Sequence, residues 1–195
     1  MGKIAVLTND MQDDFVYKSP ERAAAVAEAA PRFVKFLAEI RQRGHYVVHL
    51  QLINLVDDPN AERDASGNLP AQRGTAGAAI VAEFLDPADV VVEKNKDSGF
   101  YETELHERLQ ACGVDTVLVT GMQTQICVQT TAADAFFRGY NVWVPSDCVI
   151  STNPEDRDRA LEWLDSYCAT VADSAEIVQL LDERAELPRK AVKVA

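Results

Sequence analysis

Short apolar runs alternate with helical segments along nearly the whole chain, and this alternation limits the possible fold more than any other feature. The first run, Ile4 to Thr8, is bounded by polar residues, as expected for a strand buried on both faces. Similar runs recur at 46–52, 90–92, 116–120, 142–144 and 169–172. Alternating strands and helices favour a parallel sheet covered by helices on both sides. The sequence therefore predicts an α/β fold with three layers, α/β/α, around a six-stranded parallel sheet.

The helices between these strands begin and end at recognisable residues. Ser19-Pro20-Glu21 predicts one helix start and Pro31 predicts a second, because proline suits the first turn of a helix. Further helices are expected over 77–85, 102–112, 124–138, 154–167 and 174–181. Residues 54–74 are rich in Asp, Asn, Pro and Gly, which predicts a long loop of the functional or mobile kind.

A single domain accounts for most of the chain. The 195 residues, 47% of them hydrophobic, suffice for one domain with a substantial core, which we place at residues 1–183. Residues 184–195 contain a proline and several basic residues, and we expect them to form a loosely attached C-terminal tail.

Charge and apolar patterning exclude several partners. The chain has 31 acidic and 19 basic residues, and its formal net charge of -12 repels nucleic acid and anionic membranes. The first apolar run is too short for a signal peptide, and no stretch approaches the roughly 18 residues of a membrane span. Four cysteines without a C-x-x-C pair are typical of a reducing compartment. We therefore expect a cytoplasmic protein that acts on a small molecule, with no nucleic-acid or membrane partner.

Three reactive residues fall at or just after strand ends. Asp10 follows the first strand, Lys94 ends the third, and Cys127 lies shortly after the fourth. In a parallel α/β sheet, ligands bind beyond the carboxyl ends of the strands. The sequence therefore predicts an active site at that edge.

Each of these residues has a chemical and a purely structural interpretation. Cys127 at the start of a helix is a natural nucleophile whose pKa the helix dipole would lower, yet buried cysteines usually just fill space. Asp10 suits a general base but also a turn cap, and Lys94 suits charge stabilisation but also a solvated loop. Singly, each residue more often has the structural role.

Other chemistries find little support. The three histidines are His45, His49 and His106, and none lies at a spacing typical of a cysteine–histidine pair or a zinc site. Neither glycine-rich nucleotide-binding motif is present. We therefore expect no metal and no cofactor.

Several ordered segments match the motifs of one known family of enzymes. DMQDDF at 10–15 resembles the family's D-x-Q-x-x-F opening, and KNKDSGF at 94–100 resembles K-x-x-x-S-A-F. GMQTQICV at 121–128 resembles G-V-x-T-x-x-C-V, and GTAG at 74–77 resembles a G-T-x-G before the lysine strand. With these motifs, the chain resembles isochorismatase-like hydrolases, in the amidohydrolase branch of that superfamily. The likeness spans most of residues 4–150.

The resemblance implies a strand order of 3-2-1-4-5-6 and a catalytic triad of Asp10, Lys94 and Cys127 working through a thioester. It implies a cis peptide between Met122 and Gln123, and an oxyanion hole formed by the backbone N–H groups of Gln123 and Cys127. A homodimer or homotetramer is typical of the family. In this order the third strand lies two positions from the first, so Lys94 must reach inward through its long side chain.

Departures from the family pattern narrow the activity. Nicotinamidases carry a D-x-H metal motif, where this chain has Leu52 and Asn54. The retained Cys127 favours hydrolysis of a small amide, ureido or carbamoyl compound over the isochorismatase-type cleavage of a vinyl ether. A non-catalytic, ligand-binding member of the fold is a second alternative. Gly99 replaces the usual alanine and is expected to widen the pocket. Candidate substrate contacts, chosen by closeness to the motifs, are Phe15, Asn54, Phe100 and Gln125.

Overall fold

A single parallel sheet organises the protein. The computed structural model describes residues 3–61, 63–64, 66–184 and 186–190. The strands are Lys3–Asn9 (β1), Tyr46–Leu52 (β2), Val90–Lys94 (β3), Val114–Met122 (β4), Asn141–Pro145 (β5), Val149–Ile150 (β6) and Thr170–Ala172 (β7). All neighbouring pairs are parallel, in the order β3-β2-β1-β4-β5-β7. The predicted order is confirmed, since β7 is the predicted sixth strand.

The two-residue strand β6 was not predicted. It pairs with the last residues of β4, with Gly121 beside Val149 and Met122 beside Ile150. Pairing between β4 and β5 stops at Leu118, so β6 completes the sheet where β4 extends further. A strand this short has no periodicity to detect.

Helices cover both faces of the sheet, which confirms the three layers. They are Asp13–Val16 (α1), Pro20–Gln42 (α2), Leu105–Ala111 (α3), Gln129–Phe137 (α4), Pro154–Tyr167 (α5) and Ser174–Glu183 (α6). One apolar cluster contains Phe33 of α2 and Ile177 of α6, and a second contains Leu105, Ala132 and Leu164 from α3, α4 and α5. The clusters bury opposite sides of the central strands.

Helix α2 is one continuous helix, so the prediction of a second start at Pro31 is wrong. Ser19 caps its N-terminus by accepting a bond from Arg22 N, and Pro31 lies inside it. An interior proline removes one backbone hydrogen bond. Buried residues on both sides of Pro31, such as Val26 and Phe36, hold the helix together against the sheet.

The segment predicted as a helix over 77–85 instead crosses the chain that follows β1. It contains a short 3₁₀ turn at Ala76–Ala78 and an antiparallel bridge between Gln12 and Ile80. A Cβ on Gly77 would lie 2.1 Å from the Asp14 carboxylate, so a larger residue would displace the Asp14 side chain. Contact with the distant segment that follows β1 therefore overrides local helical propensity at 77–85.

The described part of the tail packs onto β5 and is not loosely attached. Asn141 Nδ2 donates to Leu187 O at 3.0 Å, and Trp143 Nε1 donates to Pro188 O at 3.2 Å. Leu187 is buried. Residues 191–195 lie outside the described residues. Among the helices that the structure describes, none has the length and apolarity needed to cross a bilayer.

Candidate active site

Asp10 begins the site directly after β1. Its backbone adopts a left-handed conformation with φ of 55°, which is uncommon for aspartate and typical of functional positions. Its side chain is buried, and Oδ2 accepts a bond from Lys94 Nζ at 3.0 Å. The other oxygen, Oδ1, is also buried and has no hydrogen-bond partner in the part of the chain that the structure describes. Asp10 therefore carries one fixed and one unpartnered oxygen.

Lys94 reaches Asp10 from two strands away. It is the last residue of β3, and β2 lies between β3 and β1. Its ammonium donates to Asp10 Oδ2 and to the backbone oxygen of Asp97, both at 3.0 Å. The side chain is fully buried. The long side chain thus spans the distance that the strand order requires.

Cys127 lies in the connection between β4 and α4. The Met122–Gln123 peptide bond is cis, and residues Thr124–Val128 form a π-helical turn. The Gln123 carbonyl accepts bonds from Ile126 N at 3.1 Å and Val128 N at 3.2 Å. This turn brings the sulfur of Cys127 to 3.7 Å from Asp97 Oδ1.

Gly121 allows the ends of β1 and β4 to approach each other. It pairs with Asn9 and has a φ of 97°. A Cβ at this position would lie 2.2 Å from the Asn9 carbonyl oxygen. Glycine is therefore required here, and it holds the strand end that leads to Cys127 against the one that leads to Asp10.

A buried hydrogen-bond network fixes the segment after Lys94. Thr131 Oγ1 donates to Asn9 Oδ1 at 3.1 Å and accepts from Gly99 N at 3.0 Å. Ser98 Oγ donates to Asp134 Oδ2 at 2.7 Å. Helix α4 thereby holds residues 97–99 beside the turn that directly precedes the helix. Cys127 lies in that turn.

The electrostatics of the site leave the thiol protonated. Burial raises the pKa of Asp10, although the Lys94 ammonium and the neighbouring Cys127 thiol oppose that rise. Burial lowers the pKa of Lys94, but attraction to Asp10 and Cys127 outweighs it and leaves that pKa raised. Burial and the negative charge of Asp10 raise the pKa of Cys127 well above its ordinary value. The expected lowering of this pKa by a helix N-terminus is therefore wrong for the resting site.

A cavity of about 340 Å³ opens onto these groups. Its walls include Asp10 and Cys127 together with Met122, Gln123 and Asp97. Of the candidate substrate contacts, Phe15 and Gln125 line it as well. The Oε1 atom of Gln125 is buried without a partner among the described residues. This volume suits a small ligand.

Two other candidate contacts lie elsewhere. Asn54 donates through Nδ2 to Pro70 O at 2.9 Å, and Phe100 is buried and stacks on Tyr140. Neither is among the residues that line the cavity. Gly99 also faces away from it, because a Cβ there would lie 2.3 Å from Leu50 Cδ1. The expectation that Gly99 widens the pocket is therefore wrong, and its role is to admit Leu50.

Several cavity residues had no signal in the sequence. Asp97 looked like one member of a charged loop, yet its carboxylate contacts the thiol. Lys18, Arg22 and Thr152 come from distant segments and share the same cavity. Only the tertiary fold brings these segments together, so no local spacing could have identified them.

The chain belongs to the isochorismatase family. The family model described as "Isochorismatase domain" matches residues 4–176. The uncharacterised isochorismatase family protein YaaI of Bacillus subtilis (strain 168) is 37% identical over 180 residues, covering 90% of this chain and 96% of YaaI.

Two further relatives have names that describe a reaction. Ureidoacrylate amidohydrolase RutB of Methylobacterium radiotolerans is 33% identical over 126 residues, which span 64% of this chain and about half, 49%, of RutB. The crystal structure of N-carbamoylsarcosine amidase from Thermoplasma acidophilum has a TM-score of 0.75 and 30% identity, covering 88% of this chain and 96% of that one. Enzymes of this family thus include hydrolases of C–N bonds in small molecules.

Proposed function

We propose that this protein is a cysteine hydrolase that cleaves the C–N bond of a small amide, ureido or carbamoyl compound. The observation that carries the proposal is that Asp10 and Cys127 line one small cavity, with the buried Lys94 Nζ 3.0 Å from Asp10 Oδ2. A nucleophile in the wall of a cavity, beside a base and a buried cation, is a suitable arrangement for acyl transfer. The names of two relatives support the same reaction class.

In the first step, Asp10 removes the proton of the Cys127 thiol. The unpartnered Oδ1 atom supplies the acceptor, and burial raises the pKa of Asp10 toward that of a useful base. The resulting thiolate attacks the substrate carbonyl carbon, and the carbonyl π electrons move to oxygen. Lys94 remains protonated and stabilises the negative charge that Asp10 and Cys127 share.

Backbone donors hold the developing oxyanion in this proposal. The N–H groups of Gln123 and Cys127 belong to the turn at the end of β4, where the cis peptide after Met122 reorients the chain. Preorganised donors of this kind contribute about 3–4 kcal/mol each to transition-state stabilisation. Phe15 and Gln125 provide an apolar wall and an unpartnered acceptor for the bound substrate.

The second half of the reaction restores the enzyme. Protonated Asp10 gives its proton to the departing nitrogen as the C–N bond breaks, which leaves an acyl group on sulfur as a thioester. Asp10 then takes a proton from water, and the hydroxide attacks the thioester carbonyl. Breakage of the C–S bond returns the thiolate, which recovers the proton from Asp10.

We propose that hydrolysis proceeds without a metal or an organic cofactor. At the positions of the nicotinamidase metal motif, Leu52 has no donor atom and the Asn54 amide donates to Pro70 O. No group of three or more His, Cys, Asp or Glu that could hold a metal ion occurs within the described ranges. The residues present do not fit the metal of that motif, so no step passes through one.

Ammonia release from a panel of small amides, ureido acids and carbamoyl compounds, in the presence of a chelator, tests the proposal. We expect chelator-resistant turnover that disappears in Cys127→Ala. Isochorismate is tested alongside with pyruvate release as the readout, because pyruvate formation that survives in Cys127→Ala would favour the ether-hydrolase alternative. Iodoacetamide labelling provides the remaining control: in a ligand-binding protein without catalysis, Cys127 would react no faster than the other buried thiols, Cys148 and Cys168.

We also propose a homodimer or homotetramer in the cytoplasm, as the family resemblance implies. Phe137 of α4 and Trp163 and Tyr167 of α5 are all exposed, and the two α5 rings lie 5.4 Å apart. Exposed aromatic clusters often mark subunit contacts. Light scattering after size exclusion would measure the mass, and Trp163→Glu should shift it toward that of the monomer.

A further inference from the structure

The carboxylate of Asp97 lies in the cavity wall beside the nucleophile and has no cation of its own. Its Oδ1 accepts from the Cys127 thiol, with Sγ 3.7 Å away. Among the described residues, this thiol is the only hydrogen-bond partner of the carboxylate, and no basic side chain lies within ion-pair distance of it. The neighbouring Lys96 pairs with Asp58 instead. Asp97 therefore brings a carboxylate with unused hydrogen-bonding capacity to the reacting sulfur.

Buried neighbours fix the backbone around Asp97. Its carbonyl oxygen accepts from Lys94 Nζ at 3.0 Å and from Thr131 Oγ1 at 3.4 Å. The next residue, Ser98, donates through Oγ to Asp134 Oδ2 at 2.7 Å. The carboxylate consequently stands at a set position relative to the nucleophile, although the residue is exposed to the solvent of the open cavity.

The other acidic residues of the cavity wall have partners that balance their charge. Asp10 is paired with the buried Lys94, and Asp156 forms an ion pair with Arg159. Asp97 differs from both, because its contact in the described part of the chain is a neutral thiol. Of these three carboxylates, Asp97 is therefore the one that a ligand donor would satisfy.

The proposed reaction removes even the bond from the thiol. Once Asp10 has taken the proton of Cys127, the Asp97 carboxylate faces a thiolate with no donor between them, and like charges this close repel each other. A bound substrate also displaces water from the carboxylate, and an acceptor that loses water without gaining a donor is destabilised. A hydrogen-bond donor on the substrate removes both penalties.

The carbonyl carbon of the substrate has three substituents, and the proposed function gives two of them a partner. The oxygen lies toward the backbone N–H groups of Gln123 and Cys127, and the leaving nitrogen receives the proton from Asp10. The third substituent stays on the carbon in the thioester, next to the sulfur that Asp97 contacts. Because a carboxylate only accepts hydrogen bonds, an N–H in this third position suits it. A CH2 there leaves it without a donor, and an oxygen repels it.

We propose that Asp97 accepts a hydrogen bond from an N–H on the retained side of the scissile carbonyl. The site then selects ureido compounds, whose carbonyl carbon lies between two nitrogens, over simple amides and over carbamate esters. This selectivity rests on the proposed function for the reaction, whereas binding at Asp97 is measurable without turnover. Asp97 is thus the specificity-determining residue of the site.

Three compounds of the same length test the donor preference of Asp97. Propylurea has N–H in the third position, pentanamide has CH2 and propyl carbamate has oxygen. The ligand concentration that halves the initial rate of iodoacetamide labelling at Cys127 measures apparent affinity, whether or not the compound is hydrolysed. Peptide mass spectrometry separates this thiol from the exposed Cys112.

We expect propylurea to protect Cys127 at about tenfold lower concentration than pentanamide, because it supplies a hydrogen bond to an ionised acceptor. Propyl carbamate should protect least, since its oxygen meets the carboxylate oxygens of Asp97. Equal protection by propylurea and pentanamide, or no protection by propylurea, would overturn the proposal.

Matched variants separate a site for a donor from a general effect of cavity charge. An asparagine can turn either its oxygen or its NH2 group toward the ligand, so Asp97→Asn should bring propylurea and propyl carbamate to within about twofold of each other. Asp156→Asn changes another acid of the same wall and should keep the wild-type order. Ratios are taken within each variant, so changes in the basal labelling rate cancel. An unchanged order in Asp97→Asn, or the same loss of order in Asp156→Asn, would contradict a donor site at Asp97.

Ammonia release distinguishes this inference from the proposed function. Asp97→Leu removes the acceptor and keeps a similar shape, so the ratio of kcat/KM for propylurea to that for pentanamide should fall about tenfold. The same two compounds are compared in both proteins, so their different intrinsic reactivities cancel. If pentanamide is hydrolysed through Cys127 but the ratio is unchanged, the proposed function stands and the role of Asp97 fails. If neither compound is hydrolysed, the proposed function fails for them, while the order of protection still decides the role of Asp97.

Discussion

Strand β3 has a buried ion pair at each end, and the two pairs are built differently. At its carboxyl end, Lys94 meets Asp10, whose second oxygen has no partner among the described residues. Before its amino end, Asp89 meets Arg41 at 2.5 Å and His49 at 2.9 Å. The side chains of both aspartates are almost completely buried.

The Asp89 network uses both of its oxygens. Asp89 Oδ1 accepts from Arg41 Nε at 2.9 Å, and Oδ2 accepts from Arg41, His49 and the backbone of Asp86. His49 is bonded in turn to Thr8 Oγ1 at 2.6 Å. Satisfied pairs hold elements together, whereas the incomplete pair beside a cavity keeps an acceptor for chemistry. The difference separates a structural pair from a reactive one.

The largest expected effect concerns the nucleophile. Cys127→Ala should reduce kcat about a thousandfold or more, because the proposed thioester cannot form. The matched control is Cys148→Ala, which removes another buried thiol away from the cavity and should keep activity within twofold. Equal losses in both variants, with unchanged circular dichroism, would argue against a covalent role for Cys127.

Removing the cation from each pair should separate activity from stability. Lys94→Met should lower kcat about a hundredfold, since Asp10 loses the charge that sets its ionisation. Arg41→Met should leave kcat within threefold but lower the free energy of unfolding by about 2–3 kcal/mol, because the buried Asp89 then keeps only His49 and the backbone N–H of Asp86. Steady-state kinetics and urea unfolding of both variants measure the two effects.

The pH dependence of Lys94→Met sharpens the same contrast. Without Lys94, the raised pKa of Asp10 rises further, so the folded protein holds this proton more tightly than the unfolded chain. Stability contributed by the protonated group is then lost as pH rises from about 4 toward neutral. Urea unfolding should show that the free energy of unfolding of the variant falls relative to that of wild type over this range. A difference in free energy that stays constant between pH 4 and 7 would contradict a raised pKa of Asp10 in the variant.

Asp89 should show the opposite pH dependence. Burial opposes ionisation of Asp89, but its bonds to His49 and Arg41 prevail and lower its pKa from 3.8 to about 2. The stabilisation is therefore present above pH 4, on the order of 2 kcal/mol, and is lost as pH falls toward 2. The free energy of unfolding of Asp89→Asn should differ from that of wild type most at neutral pH and least near pH 2. The free energy of unfolding of Asp57→Asn, a change on the surface, should match that of wild type at both pH values.

The smallest expected effect concerns Asp97. Its negative charge is one of the causes that raise the pKa of Cys127, after burial and Asp10. Asp97→Asn should therefore move the pH profile of iodoacetamide labelling to lower pH and speed labelling about two- to fivefold at neutral pH. The Asp57→Asn variant again serves as the control, and an unchanged profile in Asp97→Asn would mean that solvent screens this charge.

Local patterns predicted the elements that depend on local structure. The apolar runs identified the six main strands, and their ends located Asp10, Lys94 and Cys127 at one edge of the sheet. The cis peptide after Met122 agrees with what the family resemblance implied. Features that depend on contacts between distant segments were missed: β6 forms only beside β4, and Asn141 and Trp143 fix the tail.

The pKa of Cys127 and the substrate contacts were harder to predict than the identity of the three reactive residues. A helix-start cysteine predicted a lowered pKa, but burial and Asp10 act more strongly on Cys127 and raise it. Asn54 and Phe100 were chosen by closeness in sequence, and the chain turns both away from the cavity. Arg22 belongs to a helix whose start the sequence placed correctly, yet only its contact with Thr152 shows where its side chain lies.

The placement of β1 between β2 and β4 has a consequence for synthesis of the protein on the ribosome. Strand β1 is made first, but its partner β4 begins only about a hundred residues later. At roughly 5–20 residues per second, translation leaves one edge of β1 unpaired for about 5–20 s. That apolar edge is a template for pairing with other nascent chains. Crowded polysomes and overexpression should therefore favour aggregation of this chain at a stage when neither α4 nor the nucleophile has been synthesised.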